Sequence, residues 1–275
     1  MRDEEIEEIE VGLLLDAIHR RYGYDFRNYT PASLKRRIRN LTVRSSYPSI
    51  SAMIPPLLAN PSFGAKLIYG LSVTVSEMFR DPEFFRTMRE QVIPYLKTYP
   101  FVRIWHAGCA TGEEVYSLAI VLKEENFYDR ATIFATDFND VVLDKARQGI
   151  YPLERMKEYT ANYQRSGGTG TFARYFRTGY DAAILDHTLK KNIAFANHNL
   201  VTDGVFSEMH LVICRNVLIY FNKTLQDQVL RLFHESLVHG GILALGSKES
   251  IQFNQVADKF KPLSGKWKIY QKATP

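Results

Sequence analysis

The stretch Phe101-Val102-Arg103-Ile104-Trp105-His106-Ala107-Gly108-Cys109-Ala110-Thr111-Gly112-Glu113-Glu114-Val115-Tyr116-Ser117 decides the fold. Its first part reads as a strand and its last part opens a helix running to about residue 124. A glycine-containing turn between a strand and a helix N-terminus makes a cofactor cradle, because glycine turns sharply and lets a ligand approach the backbone. The acidic pair Glu113-Glu114 would repel a pyrophosphate. It suits a hydroxyl-rich or cationic ligand.

Working outward, strand-like and helix-like pieces alternate. Strands are expected at 101–106, 131–136, 192–196, 209–214, 241–246 and 266–271, and helices at 112–124, 139–147 and 223–238. That order predicts an α/β domain with a mostly parallel sheet. Asp81-Pro82 reads as a helix start, with Asp as cap and Pro in the first turn. A less regular segment from about 150 to 190 contains Gly167-Gly168-Thr169-Gly170. Residues 1–70 look helical and separate. Ile9, Leu13, Ala17 and Ile18 supply an apolar stripe, and Leu34, Ile38 and Leu41 recur at helical spacing after Thr30-Pro31. The resulting division is 1–70, a joining stretch over 71–90, and 91–275.

The chain has 275 residues, a formal net charge of +5 and 45% hydrophobic residues, which suits a folded protein of one large or two unequal domains. Two cysteines, Cys109 and Cys214, give no disulfide framework or four-cysteine metal site and fit a reducing compartment. No apolar run is long enough to span a bilayer, and the acidic start is no secretory signal. The expected location is the cytoplasm. Positive charge concentrates on one segment: Lys35, Arg36, Arg37, Arg39 and Arg44 lie away from, or beside, the Leu34/Ile38/Leu41 face. That surface can be simple solvated charge or a docking face for an acidic partner.

Further site candidates follow the strands. Asp137 ends the second strand, where an acidic residue accepts hydrogen bonds from ribose hydroxyls; it can also cap the helix near Asn139. The spacing Gly108 then Gly112 is not that of the dinucleotide fingerprint, which moves weight toward an S-adenosylmethionine enzyme. Asn199-Leu200 can frame an adenine, or form an ordinary turn. Arg215-Asn216 follows an apolar strand at its carboxyl end, and Tyr220 follows shortly. Thr74-Val75-Ser76-Glu77-Met78-Phe79-Arg80 forms a polar lip between the two regions. No spaced His/Cys/Asp cluster accompanies His198, so no metal is expected.

Taken together, these motifs resemble the chemotaxis receptor glutamate O-methyltransferase family, the CheR proteins. The resemblance rests on Thr74–Asp81, Ile104–Ser117, Ala135-Thr136-Asp137, His198-Asn199-Leu200, Cys214–Phe221 and Gly240–Ser250, in family order across nearly the whole chain. It implies a small helical N-terminal domain and a Rossmann-like S-adenosylmethionine-dependent methyltransferase domain, with a β-subdomain inserted near 150–190. It implies cofactor contacts from Thr74, Ser76, Arg80, Ala107, Gly108, Glu113, Asp137, Phe138, Asn199, Leu200, Arg215 and Asn216. Asp137 is preferred for the ribose. Arg80 and Tyr220 would flank the methyl-transfer position. Lys35, Arg36, Arg37, Arg39 and Arg44 would dock the cytoplasmic methylation region of chemotaxis receptors. The implied reaction gives glutamyl methyl esters and S-adenosylhomocysteine, from a monomer with no nucleic-acid partner and no membrane insertion. This chain departs from the family pattern at Thr74-Val75-Ser76, Met78, Cys109 and Lys248. Competing readings are a nucleic-acid methyltransferase and a non-catalytic S-adenosylmethionine-binding signalling protein.

Overall fold

The computed structural model describes residues 2–273. The chain divides into two compact units: Met1–Val73 with Ile219–Gln228, and Thr74–Leu218 with Val229–Pro275. The division falls between Val73 and Thr74, so the lip residues Thr74 to Arg80 belong to the second unit. Tyr220, expected with the sheet domain, is grouped with the helices.

The first unit is built on α1 (Asp3–Tyr22), α2 (Pro31–Arg44), α3 (Ile54–Ala59) and α4 (Pro61–Leu71). Pro31 opens α2 and Pro61 opens α4, each where the missing N–H costs nothing. Of the stripe expected on α1, Ile18 is buried and Ala17 half-buried, whereas Ile9 and Leu13 are exposed. Ile9 and Leu13 are 51% and 53% exposed, and the buried residues are Val11, Leu14, Leu15 and Ile18. Leu14 and Ile18 stand four apart with Val11 three before Leu14, which is one helix face. Apolar residues occur on both sides of α1, so spacing alone grouped the buried Ile18 with the exposed Ile9 and Leu13. In α2, Leu34 and Ile38 are buried as expected, joined by Thr42, whose hydroxyl donates to the Ile38 carbonyl at 2.9 Å.

The second unit holds α5 (Pro82–Thr87), α6 (Ile93–Leu96), α7 (Glu113–Glu124), α8 (Asp140–Gln148) and α9 (Met156–Arg165), while α10 (Lys223–Ser236) has its first turns counted with the helical unit. A π turn over Met88–Val92 links α5 to α6, so the helix expected from Glu83 to Leu96 is not uniformly α. The main strands are β1 (Val102–Ala107), β2 (Ala131–Asp137), β6 (Ile193–Asn197), β7 (Met209–Cys214), β8 (Leu237–Leu245), β9 (Phe260–Ser264) and β10 (Ile269–Lys272). They form one sheet in the order β6-β2-β1-β7-β8-β10-β9. The first five run parallel, and β10 and β9 close the edge antiparallel. Strand β9 was not anticipated. Its Phe260-Lys261-Pro262-Leu263-Ser264 carries a proline, which is tolerated at an edge and masks a strand pattern. The expected strand at 241–246 begins earlier, at Leu237.

Three short antiparallel strands, β3 (Ile150–Pro152), β4 (Phe176–Gly179) and β5 (Ala182–Leu185), make a separate sheet in the order β3-β5-β4. The architecture is therefore the Rossmann-like core with a helical N-terminal part and an inserted β-subdomain. Fully buried Trp105 anchors β1: its indole N–H donates to Thr136 Oγ1 at 2.8 Å, and its ring meets Phe233 edge-on at 5.3 Å. A buried indole needs such a partner for its N–H. No described helix is long and apolar enough to cross a membrane.

Candidate functional site

The order of strands reverses at β1, with β2 on one side and β7 on the other. In open parallel sheets the crevice outside the carboxyl ends at such a point receives ligands. Because β6, β2, β1 and β7 are parallel, their carboxyl ends share one edge. That edge collects Gly108 after β1, Asp137 closing β2, His198-Asn199-Leu200 after β6 and Arg215-Asn216 after β7.

The turn after β1 is tied to β2 by its backbone: the N–H groups of Gly108 and Cys109 donate to the Thr136 carbonyl at 2.8 and 2.9 Å. Gly108 has φ +73°, and a β-carbon there would lie 2.6 Å from Val217 Cγ2. Gly112, at φ +88°, begins α7 with no side chain in the way. Both glycines are therefore required, one by close approach of the loop after β7 and one by the helix entry.

Asp137 is 9% exposed and accepts from the backbone N–H of Ala110 and of Asn139, each at 3.0 Å. It thus fixes the turn as well as facing the crevice. The cap of α8 is Asn139, whose side chain accepts from Val141 N at 3.0 Å; Asp137 is not the cap. Burial pushes the Asp137 carboxyl up to about 6, against the pull of the backbone donors. Glu113 is 7% exposed and accepts from the Thr111 hydroxyl at 2.6 Å. Burial raises its pKa too, while the Thr111 hydroxyl and its own backbone draw it down. Among the described residues no cationic side chain is bonded to either buried carboxylate, which favours a ligand that brings donors or positive charge. Ribose hydroxyls, an ammonium and a sulfonium meet that requirement, whereas a pyrophosphate does not. The donor set fits S-adenosylmethionine.

At the adenine end, the Asn199 side-chain oxygen accepts from Val201 N at 3.0 Å, and its backbone N–H donates to Asp203. Among the described residues its amide nitrogen has no partner, so its donors are available. Leu200, 8% exposed, lies beside it as an apolar surface. Phe138 and Asn216 are half-buried at the ends of their strands. Asn216, at φ +60°, is held by Glu249, which accepts from the N–H groups of Asn216, Val217 and Gly246 at 3.0, 2.9 and 2.6 Å. Glu249 falls within the Gly240–Ser250 motif, where residue type alone assigns it no task. A lone acid after a strand signals nothing until the loop it clamps is known.

Arg215 follows β7 at its carboxyl end, as expected. Its side chain is 1% exposed and paired with Glu114 and with Asp81, at 2.6 Å to the latter, and its guanidinium stacks 4.0 Å above the Phe84 ring. Asp81 correspondingly makes no side-chain cap to α5. Glu114 is also 3.2 Å from His106 Nε2. Burial raises the Glu114 pKa, but Arg215, His106 and Arg80 outweigh burial and hold it below the usual range. Arg80 itself is half-buried, and among the described residues its guanidinium makes no hydrogen bond. Its charge is felt by Glu114 and by Glu77 of the same lip. Thr74 and Ser76, also half-buried, precede it.

In the helical unit, Tyr220 lies beside Arg37, whose guanidinium stands 5.2 Å above the phenol ring and donates to the carbonyls of Leu71 and Ser72 at 3.1 and 2.8 Å. Burial lowers the Arg37 pKa. Arg37 is thus committed inward. Lys35 pairs with Glu8 at 2.7 Å, and Arg39 forks onto Glu7 with Nη2 at 2.6 Å from Oε2. The acidic residues of α1 therefore neutralise two of the five basic residues. Arg36 and Arg44 are exposed and, among the described residues, outside any such pair. Composition alone could not show this, because the pairing partners lie on another helix.

Two family profiles match the chain: the S-adenosylmethionine-binding domain of CheR methyltransferases over residues 74–269, and their all-alpha domain over residues 9–71. A Pseudomonas putida protein described as a candidate methyltransferase, Cher3, is 50% identical over 273 residues, covering 99% of this chain and all of that protein. A Listeria innocua protein named chemotaxis protein methyltransferase is 31% identical, covering 85% of this chain and 87% of its own. Chemotaxis protein methyltransferase 2 of Pseudomonas aeruginosa is 31% identical, covering 79% and 76%.

Proposed function

The chain belongs to the CheR methyltransferase family, and from that premise we propose that it esterifies glutamate side chains of chemotaxis receptors with the methyl group of S-adenosylmethionine. The observation that carries this reading is that the half-buried Arg80, with no side-chain hydrogen bond among the described residues, shares its unit with the two buried carboxylates of Glu113 and Asp137. Glu113 and Asp137 hold the cofactor's donors, with Asp137 on the ribose. Asn199 and Leu200 frame the adenine. When bound, the cofactor supplies an electrophilic methyl carbon on a positively charged sulfur.

The acceptor needs no strong base, since a free glutamate has a pKa of about 4.3 and is already ionised near neutrality. What the chain must do is orient and exclude water. Arg80 pairs with one carboxylate oxygen and fixes the line of approach. Pairing too tightly would stabilise the ground state equally, so orientation rather than activation is its task. Arg36 and Arg44 steer the acidic receptor helices, with long-range attraction acting on encounter. The protein works as a monomer in the cytoplasm.

The test is incubation with labelled S-adenosylmethionine and candidate receptor fragments. Base-labile label on glutamate supports the reading. Base-stable label on nucleic acid, or cofactor binding without transfer to any acceptor, refutes it. Within a positive assay, Arg80→Ala lowers turnover by about tenfold or more while cofactor affinity falls far less.

A further inference from the structure

Arg80 sits between two non-glycine residues in the left-handed region: Phe79 at φ +53° and Asp81 at φ +55°. Side chains with a β-carbon adopt that conformation only where surroundings hold them in it, and such holding clusters at functional sites. Here the holding groups can be named. The Phe79 N–H donates to Ser117 Oγ at 2.8 Å, and the same hydroxyl donates to the Glu113 carbonyl at 2.7 Å. Ser117 is fully buried one turn into α7, so it couples the lip to the helix that carries Glu113. The Phe79 ring is packed edge-on against Phe85 and Tyr163, at 5.1 and 5.4 Å. Asn162 Nδ2 donates to the Met78 carbonyl at 3.3 Å.

On the other side of Arg80, Arg215 does the holding. One arm of its fork donates to Asp81 Oδ2 at 2.6 Å; the other bonds Glu114 and reaches the Arg80 carbonyl at 3.4 Å. A planar, always-charged fork can span two carboxylates in a way that an ammonium cannot. Both terminal nitrogens of Arg215 are thus committed to protein acceptors, while its buried Nε–H has no partner among the described residues.

We infer that Ser117 and Arg215 are positioning residues that lock the Phe79–Asp81 backbone so that the Arg80 side chain is presented to the acceptor carboxylate. This role adds to the cofactor contact that the resemblance implies for Arg215, and its kinetic arm rests on the methyl-transfer reading above.

The test combines Ser117→Ala and Arg215→Lys with Arg80→Ala in double-variant cycles on the full chain. Positioning predicts that each variant lowers kcat about tenfold alone but less than about twofold in the Arg80→Ala background, because the group being positioned is already gone. S-adenosylhomocysteine affinity, read by titration calorimetry, stays within about threefold of wild type in Ser117→Ala. Losses that multiply in the Arg80→Ala background, or a loss of affinity with kcat intact, overturn the inference. A second readout needs no acceptor: hydrogen exchange at the Phe79 amide accelerates in Ser117→Ala, and unchanged exchange overturns the role of Ser117. If wild type methylates no receptor fragment, the receptor reading fails while this exchange measurement still decides the positioning claim. Should Arg215→Lys not fold, Ser117→Ala carries both readouts.

Discussion

Replacing Asp137 with Asn separates what the carboxylate costs the fold from what it gives the cofactor. Burial moves its pKa from 3.8 to about 6. At about 1.36 kcal/mol per unit, this shift corresponds to roughly 3 kcal/mol between the two protonation states. The sign follows from the direction. A folded pKa above the unfolded one means the fold favours the protonated form, so that stability is fully present below the unfolded value near 3.8 and is lost as pH rises through about 6. The Asn side chain carries no charge to desolvate. It has, however, only one acceptor oxygen for the two N–H groups of Ala110 and Asn139. Leaving one buried N–H without an acceptor costs about 1–3 kcal/mol. Asp137→Asn is therefore expected to match wild type, or to exceed it by up to about 2 kcal/mol, at about pH 7. At about pH 4, where wild type is largely relieved of its buried charge, the variant falls below wild type by about 1–3 kcal/mol. Urea unfolding of both proteins across this range measures the swing. Cofactor binding moves the other way: loss of an ionised acceptor for ribose weakens S-adenosylhomocysteine by about 10- to 100-fold near neutrality. Parallel stability profiles for the two proteins, or undiminished affinity, would refute the reasoning.

Three shorter expectations accompany it. Gly108→Ala places a β-carbon 2.6 Å from Val217 Cγ2 at a positive φ, so it destabilises by about 1–3 kcal/mol in thermal unfolding; Val217→Ala restores part of that loss by removing the overlap but not the strain. Arg36→Glu with Arg44→Glu raises the KM for a receptor fragment, and the effect shrinks at high salt, whereas Lys35→Ala changes KM little because Glu8 already answers its charge. Leu14→Ala costs about 2–5 kcal/mol in chemical denaturation while Leu13→Ser stays within about 0.5 kcal/mol, which checks the face of α1 that is buried.

The sequence by itself determined the parts of this protein that depend on neighbours along the chain. The turn from Ala107 to Glu113 reads as strand, glycine and helix start because backbone conformation and apolar period are local properties. The acidic end of β2 and the Arg-Asn pair after β7 are legible for the same reason: once strands are parallel, their carboxyl ends must meet at one edge. Only the tertiary structure decided what each charged side chain does there. Asp81 looks like a helix cap until Arg215, 134 residues away, takes its carboxylate. Arg37, on the flank of the apolar face, and Arg39, opposite it, both read as basic docking residues, yet one turns inward to the Leu71 and Ser72 carbonyls and the other is answered by Glu7. On α1, apolar residues line two faces, and burial selected the one bearing Leu14 and Ile18 over the one bearing Ile9 and Leu13. Periodicity carries no information about which distant element will pack against a face. A charge is assigned its role by whichever opposite charge or carbonyl the packed chain brings within about 3 Å of it.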